Sequence, residues 1–193
     1  MTHDLSFQPG EGKSMTQTRS NRILIGMPGA GKSTVGVILA KLISRDFVDT
    51  DVLIQTSQGR TLQDIVDEDG YAVLRKIEED VLLGLSVKNC VIATGGSAVY
   101  SDGAMAHLKS DGLVIFLDAD MPTLEARIHD YSTRGLAKRA DQNFADMFHE
   151  RFTLYTQYAD ITIKCAGLTH EEVCARIMDI TKVEKLTRDL TSP

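Results

Sequence analysis

The sequence predicts an α/β fold, a five-stranded parallel sheet flanked by helices on both faces. Three observations predict it. Short apolar runs alternate with segments of helical period along most of the chain. A glycine-rich loop joins the first apolar run to the first helix. Acidic residues and glycines fall just after the apolar runs, where parallel sheets place their ligands.

Taken in order, Ile23–Ile25 is the first strand and Lys32–Ile43 the first helix, with Val35, Leu39 and Leu42 on one stripe. Asp46–Asp49 is the second strand, followed by helices over Thr50–Thr56, Thr61–Asp69 and Gly70–Leu85. Val91–Thr94 is a third strand and runs into two glycines. Then come a helix over Gly103–Ser110, a strand over Leu113–Leu117, and helices over Met121–Ile128 and Asp141–Ala159. Ile161–Lys164 is the last strand and His170–Val183 the last helix. No internal repeat or second domain is visible. One domain over 21–183 is expected, with flexible polar tails over 1–20 and 184–193.

The loop Gly26-Met27-Pro28-Gly29-Ala30-Gly31-Lys32-Ser33-Thr34 fits the G-x-x-x-x-G-K-[ST] pattern, with a strand before it and a helix after it. Glycines let backbone N–H groups converge on phosphate oxygens, and the helix N-terminus adds its positive end. Gly29, Ala30, Gly31, Lys32, Ser33 and Thr34 are therefore expected to bind a nucleoside triphosphate, in a P-loop NTPase fold. Lys32 is expected to reach the transferred phosphoryl, and Ser33 to offer its hydroxyl to Mg²⁺. Residues 9–14 end in the same Gly-Lys-Ser letters, but Phe7 stands where the first glycine should, and no strand precedes it.

A net charge of −6 argues against a nucleic-acid surface. The three cysteines, Cys90, Cys165 and Cys174, lack metal-type spacing and read as buried thiols of a cytoplasmic protein. No apolar run is long enough to cross a membrane. His129, His149 and His170 suggest no metal site.

Four further stretches carry chemistry. Asp49 and Asp51 follow the second strand: Asp49 is placed to support Mg²⁺ beside Ser33, and Asp51 to draw a hydroxyl proton from an acceptor. A helix N-cap is the competing reading of an aspartate there. In Leu74–Asp80 the apolar stripe is Leu74, Ile77, Val81 and Leu82. Arg75 can pair with Glu79 four residues on, or hold a carboxylate bidentately. Gly95 and Gly96 let a ligand approach the backbone closely, unless they form a simple strand-exit turn. The polar stretch from Arg127 to Arg139 reads as a mobile lid over about 127–140, with Arg134 placed to meet charge on the transferred phosphoryl. Arg151, on the next helix, can point back into the pocket; a solvated face is the alternative for both arginines.

Together GMPGAGKST, FVDTD, LRKIEED, TGGSAV, a lid arginine and RFTLY resemble the shikimate kinase family, over roughly Arg22 to Ile180. The resemblance implies ATP-dependent phosphorylation of a shikimate ring hydroxyl, on the route to chorismate and the aromatic amino acids. It implies that Asp51 binds substrate hydroxyls, Arg75 and Arg151 grip the carboxylate, and Gly96 offers its N–H. Arg134 becomes the lid arginine, and Arg127 lies on the adenine face. Several positions depart from the family pattern. Ser97 replaces the third glycine of a Gly-Gly-Gly run, and Gly135 replaces a lid proline, which predicts a freer hinge. Val66 and Leu74 stand where aromatic residues usually line the ring. Another small anionic hydroxy acid or polyol, quinate- or gluconate-like, is the alternative acceptor; a non-catalytic nucleotide-binding regulator is the other class. A monomer is expected.

Overall fold

The computed structural model describes residues 19–127, 135–139 and 141–191. Five strands form one parallel sheet: β1 (Asn21–Ile25), β2 (Asp46–Asp49), β3 (Cys90–Ala93), β4 (Gly112–Asp118) and β5 (Ile161–Lys164). Their spatial order is β2-β3-β1-β4-β5. Register pairs Ile23 with Ile92 on one side and with Val114 on the other. Ile23, Leu24, Ile25, Val91, Ile92, Val114 and Ile115 are all fully buried, as central strands covered on both faces require.

The chain steps from β1 outward to β2 through α1 (Lys32–Leu42), then crosses back over β1 from β3 to β4 through α5 (Asp102–Asp111). Right-handed crossovers in opposite directions place these helices on opposite faces. The last helix, α8 (His170–Thr191), packs beside α1. β1 is thus the switch point of the strand order, and its carboxyl end is where such sheets open a crevice.

Local chemistry sets the remaining boundaries. α2 (Thr50–Gln58) starts at Asp49, whose side chain accepts from the Asp51 N–H, and stops at Gly59 in the left-handed region. α3 (Leu62–Asp69) opens with a capping box between Thr61 and Asp64. Gly70, at φ 88°, turns the chain into α4 (Tyr71–Leu83). A single 3₁₀ turn, Ala98–Tyr100, precedes α5, which Ser101 caps. α6 is Met121–Arg127 and α7 is Phe144–Tyr158. The helix expected from Asp141 begins later, because the Asn143 side chain caps it through the Asp146 N–H.

Residues 1–18 lie outside the described residues, but Arg19 pairs with Asp160 and Ser20 bonds Asp111. At the other end α8 continues to Thr191, through a stretch rich in helix formers (Glu184, Lys185, Leu186, Arg188) where a frayed tail was expected from 184. No described helix is long and apolar enough to cross a membrane.

The amino end of β4 offers a test of packing remote from the cleft. A Cβ on Gly112 would stand 2.1 Å from the Ile23 side chain and 2.5 Å from the Leu108 carbonyl oxygen. Gly112→Ala should lower unfolding stability by about 1–3 kcal/mol in urea titration. Unchanged stability would show that this contact relaxes freely.

Candidate active site

A cleft of about 480 Å³ opens at the carboxyl ends of the strands. Its lining includes the P-loop, Asp51, Glu78, the Gly95–Ser97 turn, Leu136, Ala137 and Arg151.

The P-loop has the shape that its glycines permit. Gly26, Gly29 and Gly31 have positive φ, and a Cβ on Gly26 would lie 2.8 Å from the Leu117 carbonyl oxygen. Gly31 is the N-cap of α1 and no side chain caps the helix, so its first N–H groups face the cleft as an anion site. Lys32 is buried and spans the loop, donating to the carbonyls of Gly26 (2.8 Å) and Met27 (3.0 Å). Burial lowers its pKa to about 8, against the opposing pull of Asp51. Ser33 and Thr34, exposed on the first turn, line the same cleft. Arg127 reaches the carbonyls of Gly29 and Ala30, and His170 packs close to Gly31. His170 is a cleft residue that the sequence reading passed over.

Two carboxyl groups face the loop. Asp51 sits in the first turn of α2 rather than at its cap, which is Asp49, so its side chain is available to the cleft. Burial raises its pKa, and Lys32 opposes the rise. Glu78 is the second carboxyl group, and the sequence reading missed it. It is 3% exposed, and the buried stripe of α4 is Leu74, Glu78 and Leu82 rather than one built on Ile77 and Val81. A carboxylate flanked by leucines four residues away on either side was the available signal. Desolvation and the nearby Asp51 push its pKa up to about 7.

The two glycines are there because side chains would not fit. A Cβ on Gly95 would fall 2.2 Å from Glu78 Oε1 and 2.7 Å from Asp51 Oδ1. One on Gly96 would lie 2.9 Å from the Arg151 guanidinium. The turn is fixed by Thr50 Oγ1, which accepts from Gly95 N–H, and by Tyr155 O–H, which donates to the Gly96 carbonyl.

Arg151 is 1% exposed and lines the cleft, so the solvated-face alternative fails for it. Arg75 takes a different position. It lines an adjoining cavity, stacks 3.7 Å over the Tyr100 ring, and makes no ion pair with Glu79, which Lys76 takes instead. The two arginines nevertheless meet at one atom. Arg75 donates from Nε and one terminal nitrogen (3.3 and 3.1 Å), and Arg151 from another (2.9 Å), to the Ala137 carbonyl oxygen.

Arg134 and residues 128–133 of the expected lid lie outside the described residues. The segment after them is packed. Gly135, at φ 57°, donates its N–H to the Gln63 side chain, and a Cβ there would lie 2.4 Å from the Leu62 backbone. Glycine here is a close-packing requirement that proline, with its fixed negative φ, could not meet. The expectation of a freer hinge at this residue is therefore corrected. Leu74, with Ile54, Leu62 and Leu136, walls the cleft, while Val66 packs behind it against the Ile54, Ile65, Leu74 and Ala137 cluster.

A phosphate loop facing two carboxyl groups and a buried arginine matches known proteins over most of the chain. The family model for shikimate kinase matches residues 28–182. A shikimate kinase of Gloeobacter violaceus is 40% identical over 75% of this chain and 83% of its own. One from Thermodesulfovibrio yellowstonii is 35% identical over 89% and 99%. Among solved structures, the shikimate kinase of Acinetobacter baumannii in complex with shikimate superposes with a TM-score of 0.81 at 32% identity, covering 88% of this chain and 97% of that one. Motif order, cleft geometry and these likenesses agree, and the chain belongs to the shikimate kinase family.

Proposed function

We propose that this chain transfers the γ-phosphoryl group of ATP to a ring hydroxyl of shikimate, with Asp51, Glu78, Gly95, Gly96 and Arg151 forming the acceptor side of the cleft. The observation that carries the reading is their convergence opposite the P-loop, within one cleft at the switch point of the sheet.

The P-loop N–H groups from Gly29 to Thr34 cradle the phosphates, and Lys32 swings from the loop carbonyls to the transferred group. Hard oxygen donors suit Mg²⁺. Ser33 has an exposed hydroxyl, and Asp49 spends one oxygen on its helix cap and keeps the other. When bound there, the ion would neutralise phosphate charge. Arg127, beside the loop, covers the adenine. Asp51 orients the attacking hydroxyl and accepts its proton, with Lys32 close enough to share the charge. Arg134 belongs to the lid in this reading. The Ala137 carbonyl holds the place of an acceptor carboxylate oxygen, and shikimate would displace it from Arg75 and Arg151. A monomer in the cytoplasm, with its three thiols buried and free, completes the proposal.

Lys32→Ala should lower kcat by about a thousandfold; near-normal turnover would remove Lys32 from phosphoryl transfer. Arg151→Lys keeps the charge and loses the fork, so the KM for shikimate should rise about tenfold at unchanged KM for ATP. Arg75→Ala should act in the same direction. A rise in the ATP KM instead would put these arginines on the wrong side of the cleft.

A further inference from the structure

Ser97 replaces a glycine of the family pattern, yet it is no idle surface change. It is buried at 7% exposure, at the start of the 3₁₀ turn after β3, and it lines both the main cleft and the adjoining cavity. Its hydroxyl donates to Glu78 Oε2. A glycine there would leave that oxygen without this donor.

The consequence lies at the other oxygen. Glu78 Oε1 is buried and has no hydrogen-bond partner among the described residues. It packs with Asp51 Oδ1 against Gly95, in the space that a side chain there would need. A buried carboxylate oxygen without a donor is costly, and a ligand hydroxyl is a donor of the right kind. Asp51 has two oxygens of its own to offer the hydroxyls of a polyhydroxy ring. Glu78 Oε1 adds a further acceptor beside it, for a neighbouring hydroxyl.

We infer that Ser97 is a positioning residue for acceptor recognition: by holding Oε2 of Glu78 it aims Oε1 at a hydroxyl of the acceptor, next to the hydroxyl that Asp51 takes. The inference rests on the acceptor-side reading above. It makes the Ser97–Glu78 pair a specificity device of this chain, selecting rings with adjacent hydroxyls.

The pair also sets a pH dependence. Glu78 faces Asp51 from α2, Lys32 from α1, Arg151 and Tyr155 from α7, Ser97 from the turn, and Arg75 on its own helix. Asp51 and burial favour its protonated form; Lys32, Arg151 and the Ser97 hydroxyl favour the ionised, accepting form. Its pKa of about 7 would rise in a variant without the hydroxyl, so more of the protein would carry a proton on Glu78 at neutral pH.

The test is the pH profile of kcat/KM for shikimate in the wild type and in Ser97→Ala, Ser97→Gly and Ser97→Thr. The acid limb should move up by about one pH unit in the Ala and Gly variants. The loss should be roughly fivefold at pH 7, approach tenfold below pH 6 and nearly vanish at pH 9. Ser97→Thr keeps a hydroxyl and should keep the wild-type limb. In a Glu78→Gln background, removing the Ser97 hydroxyl should shift nothing further. An unmoved acid limb, or a loss equal at every pH, would overturn the inference. A wild type that shikimate does not stimulate at all would instead overturn the reading on which it rests.

Discussion

Lys32, Asp51, Glu78 and Arg151 share one cleft in which burial disfavours the charged forms of Lys32, Asp51 and Glu78, and each would be harder to keep charged there without the others. The rest of the fold serves this arrangement. Parallel pairing places the carboxyl ends of β1, β2 and β3 side by side, so the P-loop, Asp51 and the Gly95–Gly96 turn meet without a long loop. α4 brings Glu78 to them on a stripe otherwise made of leucine. α7 brings Arg151, fixed beside Tyr155, whose hydroxyl ties the helix to the turn.

The electrostatics suit a transfer reaction. Burial and Asp51 raise the pKa of Glu78, and burial and Asp49 raise that of Asp51, while Lys32 opposes both shifts and Arg151 opposes that of Glu78. The cleft is therefore poised near neutrality instead of being strongly acidic or basic. An acceptor carboxylate and a nucleotide's phosphates both add negative charge. In the proposed reading Arg151 and Arg75 meet the first, and Lys32 with the first turn of α1 the second. Preorganised charge of this kind needs little movement when charge shifts along the line of transfer. The Ala137 carbonyl meanwhile gives both guanidinium groups a shared acceptor, while Arg151 Nε has no partner among the described residues.

Much of this was legible in the sequence, because the P-loop, the strand ends and the helical stripes all have short-range signatures. Strand pairing placed Asp51, Gly95 and Gly96 together, and α7 added Arg151. What was not legible depends on direction and packing. Glu78 reads as one carboxylate among three in Glu78-Glu79-Asp80; its spacing from Leu74 and Leu82 is the one hint, and the rotation of α4 against the sheet buries it while Glu79 stays half-buried and Asp80 exposed. Arg75 has the right type and spacing, but its stacking on Tyr100 comes from a turn that follows another strand. Gly135 looked like a source of freedom because its contact, the start of α3, lies far away in sequence. Ser97 looked like a lost glycine until its partner was visible.

ADP release from MgATP, measured with and without shikimate and alongside quinate and gluconate, tests the central claim most directly. Strong stimulation by shikimate, weak or absent with the other two acids, is the result that this cleft predicts. Equal stimulation by gluconate, or none by shikimate, would contradict the assignment of Asp51, Glu78 and Arg151 to the shikimate ring.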